Sequence, residues 1–214
     1  MPRAPKKTAS PHDAAPRGRP REFDRDATLN AAMETFWRKG YTQTTLADLC
    51  AAMGISAPSF YCAFGSREGI FLETVAHYKQ QYWDKALDRL MREGDVRTAL
   101  KNFVEDAVQI YMRPGLPKGC FVDISTVGLA PGETRIIEAL AALDRETEAL
   151  FRKRLLLAIE AGELPPESDV PAIVGALIAF MKGIALLARG DLCQAELAEI
   201  ARRGLALLPS AAKD

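Results

Sequence analysis

The chain has 214 residues, of which 48% are hydrophobic, 26% charged and 7% aromatic, proportions that exclude disordered, collagenous and fibrous classes and suit a soluble helical protein with a sizeable core, built as one domain or two small ones. Formal net charge is zero, so the whole-chain balance selects no partner. Cys50, Cys62, Cys120 and Cys193 show no CxxC or paired-ligand spacing, which argues against a zinc site or a disulfide scaffold and for a reduced, cytoplasmic setting.

Charge is uneven locally. Within residues 1–21, Arg3, Lys6, Lys7, Arg17, Arg19 and Arg21 stand against Asp13 in a stretch rich in Pro and Ala and poor in large apolar side chains. Such a stretch buries too little surface to order itself and reads as a flexible basic arm suited to a polyanion. Its positive charge has no apolar run behind it, unlike a secretory signal.

From Asp24, a capping residue, Leu29, Met33, Phe36 and Trp37 recur at three- and four-residue steps as far as Gly40, which predicts the first helix. Thr45 with Asp48 three residues on is a capping box in which Asp replaces Glu or Gln. It opens a second helix whose Leu46, Leu49, Cys50 and Met53 share one face, and Gly54 ends it. Ser56 caps a third helix with Pro58 in the first turn, where a missing N–H costs nothing, and with Ile55, Phe60 and Phe64 turned inward. Two short helices joined by a tight glycine-containing turn, with another helix behind them, are the ingredients of a helix-turn-helix.

Helical periodicity continues from about residue 67 to 92 and from about 96 to 112. RPGLPKG at 113–119 is a loop, followed by a short segment at 120–130 and a long amphipathic one ended by Gly162 and Pro165-Pro166. Two more helices are predicted over 169–189 and 194–208. Residues 172–188 are a membrane candidate, but Lys182 interrupts them and about 17 residues fall short of a comfortable span, so a buried or oligomer-forming helix is expected. No strand-like alternation of useful length occurs, and the expected fold class is all-α.

RGRPREFDRDATLNAAMETFWRKGYTQTTLADLCAAMGISAPSFYCAFGSREGIF at residues 17–71 resembles the N-terminal pattern of the tetracycline-repressor (TetR) family of bacterial transcription regulators. The linked signals are an aromatic then KGY closing helix one, TTLADL opening helix two, MGIS as the turn, and Tyr61 followed by FGSRE. Farther on, helix order and the KGCF segment are also similar to family members. One departure is that Cys62 and Ala63 stand where many members carry a second aromatic and a histidine.

The resemblance implies a flexible arm at 1–21, a helix-turn-helix DNA-binding domain at 22–68 and a larger helical ligand-binding and dimerisation domain at 69–214. It implies a dimeric repressor on a palindromic operator of double-stranded DNA, released by a small-molecule effector. The candidate DNA contacts are Thr44, Thr45, Ser56, Ala57, Ser59, Tyr61, Cys62 and Arg67. Small or hydroxylic side chains without acids let a recognition helix approach phosphate-rich grooves, and Arg67 can reach the backbone. In the arm, Arg17, Arg19 and Arg21 flank a segment narrow enough for a minor groove. Trp83, Phe103, Tyr111, Met112, Cys120, Phe121 and Met181 are the candidate effector pocket. Ile173, Val174, Leu177, Ile178, Met181, Ile184 and Leu187 cover too much of one helix circumference for a single-sided surface element and are the candidate dimer interface.

Two alternatives stand beside this reading. Cys120, with Lys118 nearby and a helix start after it, can serve as a thiolate sensor of oxidants or electrophiles. Alternatively, the chain is an effector-free architectural DNA-binding protein. Catalysis is not expected: His12 and His77 are the histidines, and there is no nucleophile elbow, phosphate-binding loop or metal signature, hence no cofactor and no metal.

Overall fold

The computed structural model describes residues 24–205, and the described elements are all helices. Three short helices form a head: α1 (Arg25–Lys39), α2 (Leu46–Met53) and α3 (Ala57–Phe64). Each begins on a locally chosen cap. The Asp24 carboxylate accepts from the N–H groups of Asp26 and Ala27, Thr45 and Asp48 satisfy each other's backbone reciprocally, and the Ser56 hydroxyl accepts from the Ser59 N–H. Gly54 closes α2 at φ 66°, a left-handed backbone that favours glycine, and the axes of α2 and α3 then differ by 94°.

Behind this pair, α4 (Arg67–Tyr78) packs along α1 and continues through a π-helical turn, Lys79–Trp83, into α5 (Asp84–Arg92). Periodicity alone reads 67–92 as one helix. The π turn keeps the rod continuous but widens it locally, so the apolar stripe changes register there. The body is completed by α6 (Val96–Tyr111), α7 (Phe121–Ser125), α8 (Thr134–Glu160), α9 (Val170–Leu187) and α10 (Gln194–Leu205). α6 lies between α5 and α10, and α8 packs against α9.

An aromatic cluster joins head to body. Phe36 and Trp37 of α1 meet Phe71 and Tyr78 of α4 and Phe121 of α7, with Trp37 and Phe71 ring centroids 5.6 and 5.9 Å from that of Phe121. Such edge-on and tilted rings combine large apolar burial with favourable quadrupole geometry. His77 of α4 bonds Asn30 of α1 through Nε2 at 3.0 Å.

A second brace is polar. Arg154 of α8 is only 4% exposed and donates to the carbonyl oxygens of Leu90, Glu93 and Gly94 at 2.8–3.1 Å, which are those left open where α5 ends. Glu163 accepts from the Val96 N–H at 2.7 Å, where α6 begins. α9 is long and apolar enough to cross a membrane by length and composition, yet Ile173, Val174, Leu177, Met181 and Ile184 on it are buried among the chain's own helices.

Candidate nucleic-acid interface and effector cavity

On the head, the inner side of α3 is anchored by buried Phe60 and Phe64, which leaves Ser56, Pro58, Ser59, Tyr61 and Cys62 exposed, with Ala57 and Ala63 half-buried. Tyr61 is 55% exposed. Between Asp48 and Glu68 there is no acidic residue, so this flank is uncharged, small and hydroxyl-bearing. The Ser56 and Ser59 hydroxyls lie 2.9 Å apart.

Thr45 is exposed, but its hydroxyl serves the capping box with Asp48. The Lys39 ammonium, 2.7 Å from Asp48, and the Thr45 backbone N–H hold that carboxyl down to about 2. Two of the sequence-based contact candidates are placed elsewhere. Thr44 is fully buried and donates to the Gly40 carbonyl at 2.7 Å, because the chain must close the turn between α1 and α2 there. Arg67 folds inward: its guanidinium donates to the carbonyl oxygens of Tyr41 and Thr44 at 3.0 and 2.9 Å and stands 3.7 Å from Glu133, so it braces the head instead of reaching outward. Arg17, Arg19 and Arg21 lie outside the described residues.

The body contains a cavity of about 130 Å³ lined from α4, the π turn, α5, α6, α7, α8 and α9. Of the sequence-based candidates, Trp83, Phe103, Tyr111, Cys120 and Met181 line it, while Met112 and Phe121 do not. Phe121 is consumed by the aromatic cluster that joins α7 to α1, and Met112 falls past the end of α6. Sequence reasoning missed Leu143 and Phe151 on α8 and the charged rim, where Lys182 of α9 lies 3.6 Å from both Asp123 and Asp144. Long-range approaches of this kind leave no periodic signal.

Cys120 does not have the environment of a sensor thiolate. Burial pushes its thiol up to about 12, with the Asp123 carboxylate adding to the shift, and Lys118 turns away to the carbonyl oxygens of Gly190 and Leu192. Gly119 before it, at φ 93°, approaches α9 so closely that a Cβ would stand 2.7 Å from the Ala185 carbonyl oxygen.

α7 touches both sites. Cys120, Val122 and Asp123 line the cavity, and two residues on, the Ser125 carbonyl accepts from the Tyr41 N–H at 2.7 Å. Tyr41 also donates from its hydroxyl to Glu133, and Arg135 pairs with Glu68 at 2.6 Å. The head is therefore clamped to the segment that forms one cavity wall.

The α9 residues expected at a dimer interface require correction. Ile173, Val174, Leu177, Met181 and Ile184 are buried within this chain, and Ile178 and Met181 line the cavity, because the more apolar side of α9 is claimed by its own body. Besides Pro171 and Lys182, α9 leaves exposed a strip of Ala172, Gly175, Ala176, Ala179, Gly183, Leu186 and Leu187. Leu186 is 69% exposed, and Leu156 and Leu157 of α8 are exposed as well. Of the expected set, Leu187 belongs to this strip.

Comparison with known proteins places these features in context. The family model described as "Bacterial regulatory proteins, tetR family" matches residues 29–74, and "Tetracyclin repressor-like, C-terminal domain" matches 96–203. The chain is 32% identical over 198 residues to the HTH-type transcriptional repressor ComR of Escherichia coli, covering 92% of this chain and 94% of that one. It is 29% identical over 157 residues to the uncharacterized HTH-type transcriptional regulator YezE of Bacillus subtilis, covering 73% and 81%. Among solved structures, a cysteine-substituted form of the TetR family transcriptional regulator CifR, complexed with 26-bp double-strand operator DNA, superposes with TM-score 0.84 at 32% identity over 89% of this chain and all of that one. With its head, its body and nearly its whole length so matched, this chain belongs to the TetR family of bacterial regulatory proteins.

Proposed function

We infer that this chain is a ligand-responsive transcription regulator, acting in the cytoplasm as a repressor and not as an enzyme. It binds a palindromic operator as a two-fold dimer and lets go when a small molecule enters the body. The observation that carries this reading is the exposed, acid-free flank of α3, standing beside a turn of 94°. A helix presented in this way enters a major groove without repulsion from the phosphates, and Ser59, Tyr61 and Cys62 are the side chains at its surface. Ser56 adds a hydroxyl at the start of α3, where backbone N–H groups favour a phosphate, whereas the Thr45 hydroxyl is taken up by Asp48.

One α3 reads only a few base pairs, so two copies are needed to make an operator site. The exposed apolar strip of α9, with Leu156 and Leu157 of α8, supports pairing of the two long helices with those of a second copy. ComR is itself a repressor, and the CifR structure holds operator DNA, both in keeping with this reading. The arm at 1–21, with Arg17, Arg19 and Arg21, adds phosphate or minor-groove contacts. The cavity and its attachment to the head through α7 favour an effector-responsive protein over an architectural one.

The test is selection of bound sites from random duplexes followed by footprinting. A regulator yields one discrete palindrome with half-sites spaced by about one helical turn, roughly 10 bp, or a multiple of it. Spreading protection without sequence choice contradicts the reading.

A further inference from the structure

Resting on the reading of the body as an effector-binding unit, we propose that the cavity takes a small neutral ring compound, the size of a substituted benzene, with one acceptor atom that receives the Tyr111 hydroxyl proton in a hydrogen bond. Size sets the first limit. At about 130 Å³ the cavity is comparable to an engineered apolar cavity of roughly 150 Å³ that admits benzene.

The walls set the second limit. Trp83, Phe103 and Phe151 present adjoining rings, with centroids 5.7 and 5.3 Å apart in sequence. A flat guest gains offset or edge-on contacts against them.

Charge sets the third. Lys79 and Lys182 line the cavity, but Lys79 is 2.7 Å from Glu146 and Lys182 is shared by Asp123 and Asp144. Carboxylates thus match or exceed the ammonium groups on the rim, and no lysine there is left as a counter-ion for an anionic guest. A neutral guest avoids this mismatch.

Tyr111 supplies the polar anchor. It is 3% exposed, it lines the cavity, and its hydroxyl has no hydrogen-bond partner among the described residues. The neighbouring Tyr78 hydroxyl is directed at the Cys120 sulfur, 4.0 Å away. An acceptor atom on the guest gains a hydrogen bond from this hydroxyl at the cavity wall, whereas a purely apolar guest offers it none.

Isothermal titration of the full-length, DNA-free chain with acetophenone, ethylbenzene and benzoate tests this. Acetophenone is expected to bind saturably, ethylbenzene more weakly, and benzoate at least about tenfold more weakly than acetophenone. Tyr111→Phe should weaken acetophenone by roughly three- to tenfold while leaving ethylbenzene unchanged. Leu143→Phe, which narrows the cavity, should remove acetophenone binding with helix content by circular dichroism intact. Benzoate binding as tightly as acetophenone, Tyr111→Phe weakening both neutral rings alike, or no saturable acetophenone signal overturns the proposal. Operator affinity of the ligand-free chain, measured separately by fluorescence anisotropy, keeps the two readings apart. Firm operator binding without acetophenone binding sinks the guest alone; acetophenone binding without operator binding sinks the regulator reading and leaves the guest standing.

Discussion

The Arg67 guanidinium lies 4.2 Å from the centre of the Tyr41 ring and donates to the carbonyl oxygen of the same residue at 3.0 Å. A planar cation thus stacks on a ring and satisfies the turn that follows α1, with the Thr44 carbonyl as a second acceptor. Arg67→Ala leaves both oxygens without this donor and should lower unfolding stability by about 1–3 kcal/mol. Arg67→Lys, which lacks the fork, should recover only part of it. Thermal unfolding measures both. A variant with unchanged stability and a salt slope of operator binding reduced by about one would instead make Arg67 a phosphate contact.

Tyr61 behaves differently because it stands 55% exposed on α3 and carries little of the core. Tyr61→Ala should leave the melting temperature within a degree or two and weaken operator binding by about 1–3 kcal/mol. Fluorescence anisotropy on the selected site reads the affinity, and undiminished binding would remove Tyr61 from the interface.

The thiols should separate by accessibility. At neutral pH iodoacetamide should label exposed Cys62 and Cys193 well before buried Cys120, as read by peptide mass mapping. Burial raises the Cys120 thiol from its ordinary 9.0 to about 12, so its contribution to stability is complete below 9 and is lost as pH rises from 9 toward 12. Asp48 has the opposite sign: with its carboxyl held near 2 by Lys39 and the Thr45 N–H, its contribution is present above its ordinary 3.8 and is lost as pH falls toward 2. Prompt labelling of Cys120 in the folded chain would bring back the sensor reading.

The two sides of α9 should respond in opposite ways. Leu186→Glu on the exposed strip should halve the mass measured by light scattering and weaken operator binding, with the fold retained. Leu177→Ala, on the buried side, should cost about 2–5 kcal/mol of stability through the cavity it leaves. A dimer that persists in Leu186→Glu at micromolar concentration would move the interface elsewhere.

These contrasts show how far the residues announce their roles. Asp24, Thr45, Gly54 and Ser56 mark the head because capping and tight turns are short-range chemistry, settled within three or four residues. Thr44 beside them looks equally available, and only the closing of the turn onto Gly40 buries it. In α9 the apolar pattern is so broad that it fits a helix covered on two sides without saying which side its own body covers. Arg154 reads as one more surface cation of an amphipathic helix until α5 ends beside it, and Glu133 acquires its role only when Arg67 and Tyr41 arrive from far away in sequence.

Ser59 stands exposed on the uncharged flank by which α3 is inferred to read the duplex, and Ser59→Glu puts a carboxylate on that flank without touching the core. Measured by anisotropy on the selected palindrome, binding should fall by at least about a hundredfold, since like charge meets the phosphates, while unfolding stability stays level. Operator binding undiminished by that carboxylate would mean that this flank of α3 does not face the duplex.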